Sequence, residues 1–251
     1  INTSTDSTIS AGVYGNWHPS GKYIAFSTNV IIPEFHSIRN KRLEVYDTIS
    51  DLIVLDLERN KVITSRVIAE KGSFESFPVF SADGSSLYFC SAHALRMPAE
   101  YDKVRYSLCS VSFDPADGSF GSIADTLISA ERTGRSISHP KPSPDGKKLM
   151  FTSIAYGNFP VWHEEADLRL LDLATGTIDT LPAVNSRRSD SYHSWSSEGS
   201  WFVFASKRVD NMYGRPYFAY IGNDGRASKP FVLPQKDPEF YEFSLKSYNI
   251  P

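Results

Sequence analysis

One phrase, returning four times, limits what this chain can fold into more than any single residue does. The copies are WHPSGKYIAFST from Trp17, FSADGSSLYFCS from Phe80, PSPDGKKLMFTS from Pro142 and WSSEGSWFVFAS from Trp195. Their glycines Gly21, Gly84, Gly146 and Gly199 stand 63, 62 and 53 residues apart, too far for helical solenoids and close to the length of a four-stranded propeller blade. Each copy reads as strand, tight turn, strand. Asp or Ser hydrogen-bonds its own backbone in the turn, and glycine accepts a positive φ there without steric cost. The residues that follow alternate with period two, as Leu149 and Phe151 do against Met150 and Thr152, which is the pattern of a strand.

A second hairpin follows in each unit, clearest over 51–63 and 167–181. The expected fold class is therefore all-β: a β-propeller with four four-stranded antiparallel blades over 10–70, 71–131, 132–185 and 186–236. Residues 1–9 can be laid over 173–181 without a gap, matching Thr3, Thr5, Thr8 and Ile9 to Thr175, Thr177, Thr180 and Leu181. They read as the orphan outer strand of a preceding blade. With no initiator Met, the chain is expected to be the C-terminal portion of a six- to eight-bladed parent, whose missing N-terminal blades would be partners of this segment. Residues 237–251 form a tail that could supply a closing strand. An open arc of blades should leave apolar flanks on its first and last sheets, inviting closure, dimerisation or aggregation.

Hydrophobic residues at 41% and charged residues at 22% suit packing of sheet on sheet. No apolar run approaches the roughly 20 residues of a membrane span. A net charge of -3 gives no basic face for nucleic acid. The two cysteines, Cys90 and Cys109, form neither C-x-x-C nor C-x-x-C-H; they are either cross-strand partners or small buried thiols. Trp17 and Trp195 fall at equivalent repeat positions and read as blade core.

The phrase S-P-D-G-K-K-L-M-F-T-S at 143–153, followed by D-L-R-L-L-D-L-A-T-G at 167–176, resembles the TolB-like, or PD40, type of WD40-related repeat. In the fourth copy Ser197-Glu198-Gly199 replaces Pro-Asp-Gly. Longer stretches such as FPVWHEEADLRLLDL and DSYHSWSSEGSWFVFASKR are similar to TolB-like envelope proteins of the Bacteroidetes, some of which carry a label linking them to cytochrome c. The resemblance implies a periplasmic or outer-membrane-associated protein with a binding role and no established reaction. It implies no cofactor in this segment, with any haem motif lying upstream.

In a propeller blade the a–b and c–d turns share one face, and the b–c loops and d–a crossovers share the other. Here the a–b and c–d turns are short and the b–c loops long, above all over 28–50 and 91–105, so binding residues are expected on the long-loop face. The candidates there are Phe35, His36, Trp162, His163 and Glu164, joined by His139, Tyr192 and His193 at the innermost strands. Each has a blander reading in packing or loop hydrogen bonds. Adjacent His163 and Glu164 on an extended chain point to opposite sides and do not readily share one metal. Tyr46, Tyr101, Tyr156 and Arg215 could add to an interface, since Tyr and Arg are frequent anchors. No G-x-S-x-G is present. Asp190, His193 and Ser194 or Ser196 hold the letters of a triad, but neighbours on one strand cannot meet at one point. The expected function is a non-catalytic binding or scaffold propeller of the cell envelope, engaging a protein or a glycan. The alternatives are a metal-dependent polysaccharide lyase or hydrolase of the TolB-like type, and the propeller part of a c-type-haem protein.

Overall fold

A computed structural model describes residues 8–35 and 43–248. The first sheet runs β1 (Val13–Trp17), β2 (Tyr23–Phe35), β3 (Leu43–Asp56) and β4 (Lys61–Ile63), antiparallel throughout. The second holds β5 (Ser73–Phe80), β6 (Ser86–His93), β7 (Ser107–Asp114) and β9 (Asp125–Ile128), with the short β8 (Ser119–Phe120) also on β7. The third runs β10 (Ser136–Pro142), β11 (Lys148–Ile154), β12 (Asp167–Asp172) and β13 (Ile178–Asp179). The fourth runs β14 (Asp190–Trp195), β15 (Trp201–Ser206), β16 (Arg215–Tyr220) and β17 (Phe231–Val232). A single parallel bridge, Ser50 to Phe74, ties the first sheet to the second.

The repeated phrase forms the inner hairpin of every sheet. Each turn closes on a bond from the glycine N–H to the carbonyl three residues earlier: Gly21 to His18, Gly84 to Ser81, Gly146 to Ser143 and Gly199 to Ser196, at 2.9 to 3.0 Å. All four glycines hold φ between 69° and 76°, which favours glycine over any residue with a Cβ. The turns also touch from blade to blade. His18 donates from Nε2 to the carbonyl of Gly84 at 3.0 Å, so close that a Cβ on Gly84 would stand 2.2 Å from that nitrogen.

Period-two alternation sends neighbouring residues of one strand into different interfaces. Leu149 and Phe151 pack against the second blade with Cys90 and Leu108. Met150, between them, packs against Phe202 and Phe204 of the fourth. Tyr23, Leu52 and Val54 meet Phe80, Leu87 and Phe89 between the first and second. The same alternation decides the cysteines. Cys109 pairs in register with Phe89, while Cys90 pairs with Leu108, so the two thiols lie on opposite faces of the sheet and are free and buried.

Three expectations meet a different arrangement. Trp17 is 58% exposed on the flank of the first sheet, whereas Trp195 is partly buried against the third-to-fourth interface. The stretch over 28–50 is chiefly strand, because β2 and β3 stay paired from Thr28 and Asp51 out to Phe35 and Leu43, with one register shift at Val30. Within 237–248 the chain forms one helical turn, α1 (Phe240–Phe243), and packs against the fourth sheet through Tyr248 N–H to Gly214 O at 2.9 Å and the Tyr241 hydroxyl to Leu233 O at 3.0 Å. The orphan strand expected over 1–9 falls mostly outside the described residues.

The extended β2–β3 hairpin is tied down by one buried acid. Asp47, 2% exposed, accepts from Asn29 Nδ2 at 2.8 Å, from the Tyr106 hydroxyl at 3.0 Å and from Asn158 Nδ2 at 2.6 Å. These donors belong to three successive blades. Burial pushes the Asp47 carboxyl up from its ordinary range, and the three donors offset only part of that rise. Replacing Asp47 by Ala removes the shared acceptor and leaves the buried donors of Tyr106 and Asn158 and the half-buried one of Asn29 unpaired; the expected loss is about 2–4 kcal/mol of unfolding free energy. Urea denaturation checks it, and an unchanged midpoint would show that the hairpin is held by other contacts.

Candidate functional site

Every innermost strand carries a bulge at the same place. Register shifts between Val13 and Asn16, Ser76 and Val79, Ser138 and Lys141, and Ser191 and Ser194. Within each bulge one non-glycine residue takes a left-handed conformation: Tyr14, Phe77, His139 and Tyr192, with φ of 54°, 53°, 51° and 49°. For bulky side chains this region is strained, at about 1–3 kcal/mol each, and bulges serve to re-aim a side chain. Here they turn four flat rings onto one axis. Ring centroids are 4.6 Å apart for Tyr14 and Phe77, 3.9 Å for Phe77 and His139, and 4.6 Å for His139 and Tyr192. Neighbouring blades pair backbone groups along these strands. Ser27 Oγ accepts from Phe77 N–H at 3.0 Å, Asn16 Oδ1 from Phe80 N–H at 3.0 Å, and Lys141 O from Trp195 Nε1 at 3.1 Å.

The rings wall a cavity of about 340 Å³ that is also lined by Asn16, Lys141 and His193. Its two imidazoles have fixed tautomers. The Ser138 hydroxyl donates to Asn158 O at 2.5 Å, so His139 Nδ1, 2.5 Å from that hydroxyl oxygen, is its donor and Nε2 is left as an acceptor. His193 donates from Nε2 to Met150 O at 3.0 Å, which makes its Nδ1 the acceptor. That Nδ1 is buried and has no partner among the described residues. Burial, chiefly, drives His139 well below the ordinary histidine range and His193 down to about 3. Burial likewise pushes Tyr192 up to about 12, raises Tyr14 and lowers Lys141. At neutral pH the pocket therefore offers the uncharged imidazole lone pair of His139, phenol hydroxyls and one ammonium against flat apolar rings, while the His193 lone pair stays buried behind them.

Of the residues singled out in the sequence, His139, Tyr192 and His193 come together here. Trp162, His163 and Glu164 do not; they sit in the b–c loop of the third blade and are engaged locally. Lys207 lies over the Trp162 ring, 5.3 Å from its centroid, and donates to Val161 O at 2.8 Å. His163 is buried with Nδ1 3.1 Å from Glu165 Oε1, and Glu164 pairs with Arg188. Burial raises the Glu165 carboxyl, but His163 and backbone donors more than reverse this and hold it at about 2. Phe35 ends β2, and His36 lies outside the described residues. Phe159, from the same b–c loop, reaches the axis and packs against Phe77 and Tyr14 at 6.1 and 6.5 Å. The letters of a triad are dispersed as expected, with Asp190 on Arg208 at 2.9 Å and His193 on Met150 O. Sequence reasoning missed Tyr14, Phe77 and Lys141. A signal existed: each of the four ring residues stands seven before its turn glycine.

Four sheets with their first strands on a common axis match known structures. Oligogalacturonate lyase in complex with manganese is similar at a TM-score of 0.54 and 16% identity, over 92% of this chain and 58% of that one. The fold is a β-propeller. A puromycin-hydrolysing peptidase from Mycobacterium tuberculosis matches at 0.52 and 13% identity, over 94% of this chain and 41% of that one. Oligogalacturonate lyase from Vibrio parahaemolyticus matches at 0.50 and 13%, over 90% and 55%. This propeller thus spans about half the length of these structures and shares their fold alone. Its resemblance to TolB-like, PD40 repeats holds at the level of fold, with the Asp-Gly phrase forming the inner hairpin of the blade. No protein-family model and no curated protein matches the sequence.

The depressed His193 sets a pH dependence. Folding favours its neutral form, so its contribution is complete above the unfolded value of 6.5 and is lost as pH falls towards the folded value of about 3. At pH 5 the native state loses about 2 kcal/mol relative to pH 7 through this group. His193→Gln keeps a donor for Met150 O and does not titrate; its unfolding free energy should change between pH 7 and 5 by about 2 kcal/mol less than that of the unaltered chain. Equal changes would place the acid sensitivity elsewhere.

Proposed function

We propose that this chain is a non-catalytic binding propeller that takes a glycan in its axial pocket, in an extracytoplasmic setting. The observation that carries the reading is the row of Tyr14, Phe77, His139 and Tyr192, one from each blade, each held in a strained conformation that presents its ring to the axis. A sugar ring has an apolar C–H face and a rim of hydroxyls. The aromatic wall suits the first, and the neutral lone pair on His139 suits the second as an acceptor. The Lys141 ammonium in the same wall suits a hydroxyl or an acidic substituent and opposes a cation. The long-loop candidates Trp162, His163 and Glu164 are paired within their own loop and with the fourth blade, which favours the axis over the loop tips as the site. No helix among the described residues is long and apolar enough to cross a membrane. The periplasmic or outer-membrane-associated address rests on the resemblance of the repeats.

The test is a glycan array on the intact protein followed by calorimetry on the best ligand. Tyr192→Ala and Tyr14→Ala should each weaken binding about tenfold or more, the scale of one lost ring contact with its buried area, while Trp162→Ala leaves affinity unchanged. If the tyrosine variants bind as well as the unaltered chain and Trp162→Ala does not, the ligand belongs to the loop face. A screen that finds a protein partner and no glycan would favour the scaffold reading. Oligogalacturonate with manganese belongs in the same screen because a structure of this fold holds that metal; turnover there would replace a binding role with a catalytic one.

A further inference from the structure

Two blades carry a buried acid at the same structural position, and they satisfy it differently. Asp190 and Glu75 each stand nine residues before their turn glycine and pair in register with Ser206 and Ser91. Asp190, 0% exposed, is neutralised by Arg208 at 2.9 Å and also accepts from Ser186 N–H at 2.6 Å. Glu75, 1% exposed, has a long 3.5 Å contact from the Ser91 hydroxyl at Oε1 and a backbone hydrogen bond from Glu70, but no cation, and its Oε2 has no partner among the described residues. The position matching Arg208, nine after the turn glycine, holds the exposed His93. In the third blade the acid's position is Ile137, so the fold itself does not demand a carboxylate there.

Glu75 forms part of the wall of a cavity of about 610 Å³, together with His93, Glu70, Cys109 and the apolar Phe89 and Val104. We propose that this cavity binds an organic cation, an ammonium or guanidinium group on a slender aliphatic stem, whose head stands beside Glu75 where Arg208 stands in the fourth blade. A buried carboxylate without a counter-ion is costly, and a matched cation with hydrogen bonds relieves that cost. The local field has the right sign, since Asp51 and Glu70 both act on Glu75 as negative charges. The chain's own cations in this wall are occupied elsewhere. Lys103 pairs with Glu100 at 3.2 Å, and Arg105 donates to the carbonyls of Gly134 and Lys103 at 3.2 and 3.1 Å. Burial first, then the charges of Asp51 and Glu70, push the Glu75 carboxyl up to about 8. Near neutral pH it therefore holds a proton that an arriving cation displaces into solvent. This site is separate from the axial pocket, and its probes carry no sugar, so either reading can fail alone.

The experiment is a titration of the intact protein with n-butylguanidine and n-butylamine, with n-butanol as the uncharged match for the stem. Affinity for the cations should rise about tenfold per pH unit from pH 6 towards 8, with one proton released on binding. The carbon-13 carboxyl signal of Glu75 should titrate lower in their presence. Glu75→Gln should weaken binding at least tenfold and flatten the pH dependence. Glu75→Ile, borrowing the third blade's residue, should do the same in a chain that keeps its fold, and His93→Arg should occupy the site from within and block the probe. A capped Gly-Arg-Gly peptide distinguishes sources: tighter binding than butylguanidine points to an arginine of a protein partner, weaker binding to a free small cation. The proposal is overturned if n-butanol binds as well as the cations, if Glu75→Gln binds as well as the unaltered chain, or if saturating butylguanidine leaves the Glu75 signal unmoved.

Discussion

The left-handed kink in each innermost strand is the constraint on which the rest of this structure depends. A propeller sheet is packed on both faces by its neighbours, so its strands are apolar on both sides and have little freedom to present functional groups. The edge at the axis escapes that packing. By breaking the pairing of the inner strand at one point, the bulges at Tyr14, Phe77, His139 and Tyr192 turn side chains out of the interfaces and onto the axis. Strain of this kind persists only where the surroundings over-determine it, and here they do: Ser27, Asn16 and Trp195 reach across from neighbouring blades to pair the backbone of these strands. The site and the packing of blade on blade are therefore one construction.

Buried acids are handled in three ways within this scaffold. Asp190 has an arginine, Asp47 has three neutral donors from three blades, and Glu75 has neither. The first two are structural solutions: Arg208 neutralises Asp190 within its own blade, and the donors on Asp47 join blades that backbone pairing alone would leave separate. Asp47 in particular converts a long exposed hairpin, with Val30, Ile31 and Ile49 on its surface, into an arm fastened to the second and third blades. The imidazoles of the axial pocket follow the same logic by losing their charge, which leaves Lys141 as the charged group of its wall.

Much of the architecture was legible in the sequence because the physics behind it is local. Gly21, Gly84, Gly146 and Gly199 mark turns that need a positive φ, and alternating residues after them mark strands buried on two sides. His139, Tyr192 and His193 could be singled out because they open innermost strands. Tyr14 and Phe77 could not, since tyrosine, phenylalanine and histidine look unrelated until their equal distance from the turn glycine is noticed. Trp17 misled for a related reason. It shares a repeat position with Trp195, but exposure depends on which sheet lies alongside, and nothing within the repeat encodes that.

The sequence by itself determined the sheets, their order and their turns, because turn chemistry and period-two alternation act over a few residues. Tertiary structure alone decided which acids are paired. Asp47 meets donors 59 and 111 residues away in the chain, and Glu75 lacks the arginine that its counterpart Asp190 finds in Arg208. Contacts of that range follow from how successive twisted sheets stack around an axis. The same stacking brought four rings into a row, each within 5 Å of the next, and no local propensity records that closeness.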